Sequence, residues 1–285
     1  MLTKKSPLRY DVFTAPELPF REPPARVANS EAPAWDPKTA TLIFGERDAV
    51  LVDTLATIRE ATALADWVNL HDRRLTTIYI THGHGDHYLG LSVLLDRFPS
   101  ARAVATAGTA MMQQGATAEA LSETFRKWFP GQISDRIVLA EPLGSPELDL
   151  DGRPLIVVET GHTDLPHSTS LHVPDLGLIV SGDVAYNRCH MFLSQSTADS
   201  RGEWIAALDR LAALKPAAVV TGHKDPTQGN PPTVIDESRT YIEFYNKQRE
   251  AGLDDQQLFD AVVNRFPDWV SRQEFLILPM LVAKG

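Results

Sequence analysis

The sequence predicts an α/β fold on three observations. Apolar runs of strand length alternate with stretches of helical apolar spacing. Turn residues separate them at short intervals. The chain of 285 residues is long enough for one large core, so a single domain over 1–285 is the expectation.

In chain order, Met1-Leu2-Thr3-Lys4-Lys5-Ser6-Pro7 has two positive charges but no apolar segment behind them, so no secretory signal is read. Residues 15–37 hold Pro16, Pro19, Pro23, Pro24, Pro33 and Pro37, which deny the segment regular hydrogen-bonded structure. A wrapping loop is predicted. It can cover an active-site mouth or reach a neighbouring subunit of a homo-oligomer; a passive strap is the favoured reading. Strands begin after it. Thr39 to Phe44 and Ala49 to Val52 flank the turn-rich Gly45-Glu46-Arg47-Asp48 and read as a hairpin. Ile58 to Leu70 has the spacing of an amphipathic helix, through Ile58, Ala61, Leu64, Ala65 and Val68. Thr77 to Ile80 reads as a strand, Leu89 to Phe98 as a helix closed by Pro99, and Arg102 to Thr106 as a further strand. From Thr109 to Phe129 the chain is helix-prone, with Met111, Met112, Leu121, Phe125, Trp128 and Phe129 before Pro130-Gly131 stops it. These apolar residues suit a substrate pocket and core packing about equally.

In the second half, strands are expected near Arg136 to Leu139, Leu148 to Leu150, Leu155 to Glu159, Ser170 to Val173 and Leu178 to Ser181. Asp151-Gly152 marks a hairpin turn. A helix over 201–214 precedes a strand from Ala217 to Val220, and Pro226 to Pro232 is a loop. Glu237 to Glu250 and Asp255 to Phe266 read as helices, the second capped by Asp254, forming a C-terminal helical extension over about 235–285. No internal repeat or low-complexity segment is seen.

The stretch that carries chemistry is Thr81-His82-Gly83-His84-Gly85-Asp86-His87, directly after the Thr77-to-Ile80 run. In an extended segment His82, His84 and Asp86 point one way, and His87 must swing round from the opposite face. Gly83 and Gly85 are expected to supply the turn and let the ligands crowd together. Imidazole and carboxylate are ligands for borderline metals such as zinc, and four of them in six positions can serve two ions.

His-x-His-x-Asp-His at a strand end resembles the signature of the metallo-β-lactamase superfamily. The later parts of that pattern are present as Thr160-Gly161-His162, Ser181-Gly182-Asp183 and Thr221-Gly222-His223, so all seven positions are filled over residues 40 to about 225. The resemblance implies a four-layer αβ/βα sandwich whose second half mirrors the first. It assigns His82, His84 and His162 to one metal, and Asp86, His87 and His223 to the other, with Asp183 bridging. The implied cofactors are two divalent metal ions, zinc first, with iron or manganese on the same ligands. Two such ions, roughly 3.5–4 Å apart, ionise a water that attacks a carbonyl, one polarising the carbonyl and the other holding the leaving group.

Asp183-Val184-Ala185-Tyr186 puts a phenol three residues past the bridging carboxylate. In the N-acyl-homoserine lactone lactonases of the superfamily, a tyrosine at that offset donates to the substrate oxygen; rim packing is the competing reading. Asp86, Asp183 and Tyr186 are therefore the candidate catalytic residues. Cys189 and His190 read as pocket wall, His167 as a hydrogen-bonded loop histidine, and His71 and His172 as structural.

Departures from the pattern narrow the function. Subclasses with a cysteine ligand place it where Asp183 stands, so Cys189 does not fit. Only 39 residues separate Asp183 from His223, which leaves no room for the inserted domain of nucleic-acid-processing branches. His84 departs from the glutamate of the flavin-linked di-iron branch. The expected activity is hydrolysis of a small lactone, ester or amide. Thioester hydrolysis of the hydroxyacylglutathione hydrolase type, iron-dependent sulfur oxidation and non-catalytic metal binding are the alternatives. The expected partner is a small-molecule substrate. A net charge of −10 argues against nucleic acid. No 18-residue apolar run exists for a membrane span. One cysteine, Cys189, rules out an internal disulfide and suits a reducing, cytoplasmic compartment.

Overall fold

The computed structural model describes residues 7–21 and 34–278. Most of the Pro-rich segment (22–33) and the end of the C-terminal extension (279–285) lie outside the described residues. The first half runs β1 (Arg9–Ala15), β2 (Leu18–Pro19), β3 (Ala34–Trp35), β4 (Lys38–Phe44), β5 (Asp48–Val52), α1 (Ile58–Leu70), β6 (Arg74–Tyr79), α2 (Gly85–Tyr88), α3 (Leu91–Arg97), β7 (Arg102–Ala105), α4 (Ala107–Met112), α5 (Gly115–Trp128) and β8 (Glu141–Pro142). The second runs β9 (Glu147–Leu150), β10 (Arg153–Gly161), β11 (Ser168–Val173), β12 (Leu178–Val180), α6 (Ala198–Ala213), β13 (Ala218–Val220), α7 (Val234–Glu250), α8 (Asp255–Arg265) and α9 (Glu274–Ile277).

Two sheets form, in the orders β1-β4-β5-β6-β7-β8 and β13-β12-β11-β10-β9. Their faces follow from side-chain alternation. On β5, Val50 and Val52 enter a core shared with Leu155, Leu171 and Val180 of the other sheet. Ala49 and Leu51 face away, onto Leu64 and Val68 of α1 and Leu94 of α3. On the far side, Ile179 and Val219 pack against Trp204 and Leu208 of α6 and Tyr241 of α7. The result is helices, sheet, sheet, helices: the expected four-layer α/β sandwich. α1 starts on a capping box in which Thr57 and Glu60 bond each other's backbone. Among the described residues no helix is long and apolar enough to cross a membrane.

Several elements differ from expectation. A strand, β1, precedes the Pro-rich segment and pairs antiparallel with β4 from Arg9–Phe44 to Ala15–Lys38. It is a half-exposed edge strand of mixed polarity, so it has no apolar run to betray it. Inside the Pro-rich segment Leu18 pairs with Trp35 and Pro19 with Ala34, a short ladder where none was expected. The predicted helix from Thr109 splits into α4 and α5, because Gln114 is extended and Gly115 has φ +75°. Arg136 to Leu139 is not a strand. The short β8 that follows it joins the first sheet instead, parallel to β7 with Val104 opposite Glu141.

Candidate metal centre

β6 ends at Tyr79, and the chain then turns at the rim of the first sheet to deliver His82 and His84 from a loop and Asp86 and His87 from α2. Neither Gly83 nor Gly85 adopts a positive φ. Their smallness serves close packing instead: a Cβ at Gly83 would meet Met112 Cβ at 2.8 Å, and one at Gly85 would meet Leu89 Cδ1 at 2.8 Å. The second sheet supplies the rest of the centre. Asp183 follows β12, and His223 follows β13 on a loop tied to β4 through Thr39 N–H to Gly222 O (2.8 Å). Gly222 makes room for the central carboxylate, since a Cβ there would stand 2.1 Å from Asp183 Oδ1.

Two clusters of potential ligand atoms result. His82, His84, Asp164 and Asp183 form one, and Asp86, His87 and His223 the other. Asp183 lies between them, its Oδ2 3.6 Å from His82 Nε2 and 3.2 Å from His223 Nε2, its Oδ1 3.4 Å from His87 Nε2. In the second cluster, Asp86 Oδ2 is 3.3 Å from His223 Nε2 and 3.8 Å from His87 Nε2.

Six of the seven expected ligands thus converge, and His162 does not join them. Asp164 stands in its place, Oδ2 lying 2.9 Å from His84 Nδ1 and 3.4 Å from His82 Nε2. The cause is local. The β10–β11 register shifts between Glu159 and Gly161, and Gly161 has φ +81°. His162 is left half-buried outside the clusters, while Asp164 is buried. Thr163 Oγ1 and Leu165 N–H donate to Asp164 Oδ1 at 2.9 and 2.8 Å, leaving Oδ2 for the cluster. A carboxylate two residues past the expected histidine was the signal available in the sequence.

A surrounding shell orients these groups. Asp53, unremarked in the sequence as a functional residue, faces His87 Nδ1 at 2.8 Å and accepts from Thr81 N–H and Oγ1, both at 2.9 Å. This presents His87 Nε2 to the centre. His223 Nδ1 is 3.2 Å from Pro37 O, which turns Nε2 inward in the same way. Trp35 Nε1 donates to Asp86 Oδ2 at 3.1 Å.

The electrostatics are those of opposite charges in low dielectric. Burial alone would raise Asp183 and Asp86, but the adjacent histidines outweigh it and hold both carboxyls below the usual range. Asp164 is lowered likewise, by His82 and His84 against its burial. His223 is pushed up to about 10, where Asp183 and Asp86 overcome a burial that acts the other way. Metal entry would displace protons from such imidazoles. The residues present fit two divalent ions. His87 Nε2, Asp164 Oδ2 and Asp183 Oδ1 are buried without a hydrogen bond, and the donors are the imidazole and carboxylate groups that such ions favour.

Tyr186 is fully buried, donates its hydroxyl to Asp183 Oδ2 (3.2 Å), and stacks on His223 with ring centres 5.4 Å apart. Burial, then Asp183, pushes its pKa well above the ordinary value, so it stays a donor. Tyr186, Asp86, Asp183 and His223 line one cavity whose apolar walls include Trp35, Phe125, Trp128 and Phe192. The other candidates lie elsewhere. His190 pairs through Nδ1 with Tyr241 OH (2.9 Å), inside the core behind the centre. Cys189 is buried in that same core. His167 is exposed, with φ +60°. His71 bridges Trp67 O and Asp11, and His172 lies half-buried on β11.

The family model of the metallo-β-lactamase superfamily matches residues 33–223, well over half of the chain. Solved structures share the fold at low identity. A metallo-β-lactamase family protein from Thermus thermophilus aligns with TM-score 0.62 and 18% identity, over 93% of this chain and 92% of its own. A metallo-β-lactamase from Pontibacter korlensis gives 0.58 and 15%, over 85% and 97%. One from Erythrobacter litoralis gives 0.53 and 15%, over 73% and 86%. No curated protein matches the chain.

Proposed function

Because the chain belongs to the metallo-β-lactamase superfamily, we propose that it is a binuclear metal-dependent hydrolase acting on the carbonyl of a small lactone, ester or amide. The observation that supports this most is the position of Asp183, whose two oxygens approach histidines of both clusters. Such a carboxylate can hold two ions side by side. His82, His84 and Asp164 would complete one site, and Asp86, His87 and His223 the other, with zinc the proposed ion and iron or manganese suited to the same donors. Two such cations supply Lewis acidity and an acidified water.

The chain's own groups do the rest. Asp53 and the Pro37 carbonyl fix the ring orientations of His87 and His223. Tyr186, turned to the centre by its ring stack on His223, offers a protonated hydroxyl to the substrate oxygen that gains charge. The aromatic walls exclude bulk water from the reacting carbonyl. The test is a panel of lactones, esters, thioesters, β-lactams and phosphodiesters, assayed with metal-loaded and chelator-stripped protein. Metal-dependent turnover of a lactone, ester or amide is expected. Turnover confined to phosphodiesters, or none that depends on metal, would refute the reading.

A further inference from the structure

The two clusters hold three carboxylates among seven side chains. Had His162 occupied the corner that Asp164 fills, there would be two. Asp86, Asp164 and Asp183 cancel all but one of the positive charges that two divalent cations bring, so the loaded centre offers little attraction to an anion. Nor does the cavity make up for it. No lysine or arginine is among the described residues that line it, and Asp36, 3% exposed, puts a third carboxyl beside Asp86 and Asp183 in its wall. The nearby buried cation, Lys38, is already paired with Glu60 at 2.9 Å.

The remaining wall is aromatic. Trp35 touches Phe125 and Trp128 with ring centres 5.2 and 5.1 Å apart, and Phe192 packs on His84 at 5.4 Å. A slot of this kind gains by burying apolar surface, whereas an unpaired carboxylate placed in it loses its water without recompense.

We propose that the cavity takes an uncharged substrate whose apolar acyl group lies against Trp35, Phe125 and Trp128, and that it discriminates against substrates bearing a carboxylate or phosphate. This rests on the hydrolase reading and names its substrate class. It sets a neutral lactone or ester apart from a glutathione thioester, which carries free carboxylates. Asp164 is the specificity-determining residue, acting through the charge of the centre.

The experiment titrates metal-loaded protein with hexanamide, with adipamate (the same amide ending in a carboxylate) and with 6-aminohexanamide, reading binding by calorimetry and by tryptophan emission. Hexanamide should bind saturably, and each charged relative at least about tenfold more weakly. Trp128→Ala should weaken hexanamide severalfold. Asp164→His, with metal content checked, should narrow the gap between hexanamide and adipamate. Adipamate or 6-aminohexanamide binding as tightly as hexanamide, or hexanamide failing to saturate, overturns the proposal. Hydrolysis of a hexanoyl ester is measured separately. Preferential binding of hexanamide with no metal-dependent turnover of any lactone, ester or amide would refute the hydrolase reading while supporting the selectivity of the cavity.

Discussion

Asp164 Oδ2 lies 2.9 Å from His84 Nδ1, and that oxygen is buried with no hydrogen bond of its own. His162, two residues earlier, stands outside the cluster. The two residues are therefore expected to behave differently. Asp164→Ala should lower metal content by about one ion per chain, because a site left with His82, His84 and Asp183 lacks a donor. His162→Ala should keep the wild-type content. Elemental analysis after dialysis measures both, and the reverse result would return the corner to His162.

Tyr186 is expected to serve rate more than binding, since a hydrogen bond to an oxygen that gains charge strengthens in the transition state. A bound metal would share that oxygen, so Tyr186→Phe should lower turnover by roughly 10- to 100-fold, the lower end for losing one such donor. The substrate is the best of the panel, and metal content must match wild type. A mutant within about twofold of wild type would assign the phenol to packing on His223.

Much of the centre can be read from the sequence because ligands of this kind follow apolar runs. Thr77 to Ile80 announces His82 to His87, Leu178 to Ser181 announces Asp183, and Ala217 to Val220 announces His223. What could not be read depends on backbone geometry. The register shift before Gly161 exchanges His162 for Asp164. Asp53 looks like an ordinary strand-end turn residue until the fold sets it against His87. β1, β2 and β3 escaped notice because edge strands need only one partner and carry mixed or proline-containing sequence.

Lys38 and Glu60 form a buried pair, 2.9 Å apart with side chains 2% and 7% exposed. Lys38→Met would leave Glu60 charged and unpaired in the core, which typically destabilises by about 3–5 kcal/mol. Adding Glu60→Gln removes the stranded charge and keeps an acceptor for Thr57, so the double mutant should recover more than half of that loss. Urea midpoints measure both. A Lys38→Met loss under about 1 kcal/mol would show that water or rearrangement replaces the lysine.

Burial, assisted by Arg272, pushes His190 down to about 3 from the ordinary 6.5. Its folded pKa lies below the unfolded one, so its contribution to stability is fully present above pH 6.5 and is lost as the pH falls toward 3. Between pH 7 and pH 5 the wild type should lose about 2 kcal/mol more than His190→Asn, which keeps a partner for Tyr241 but cannot take up a proton. Parallel pH profiles for the two proteins would contradict this.

Binuclear chemistry requires a centre that holds two ions around Asp183. The most direct measurement is the number of divalent ions bound per chain when metal-stripped protein is titrated and then analysed for bound metal. The predicted result is close to two. A stoichiometric single ion, with Asp86, His87 and His223 left without metal, would contradict the binuclear centre and the hydrolytic chemistry drawn from it.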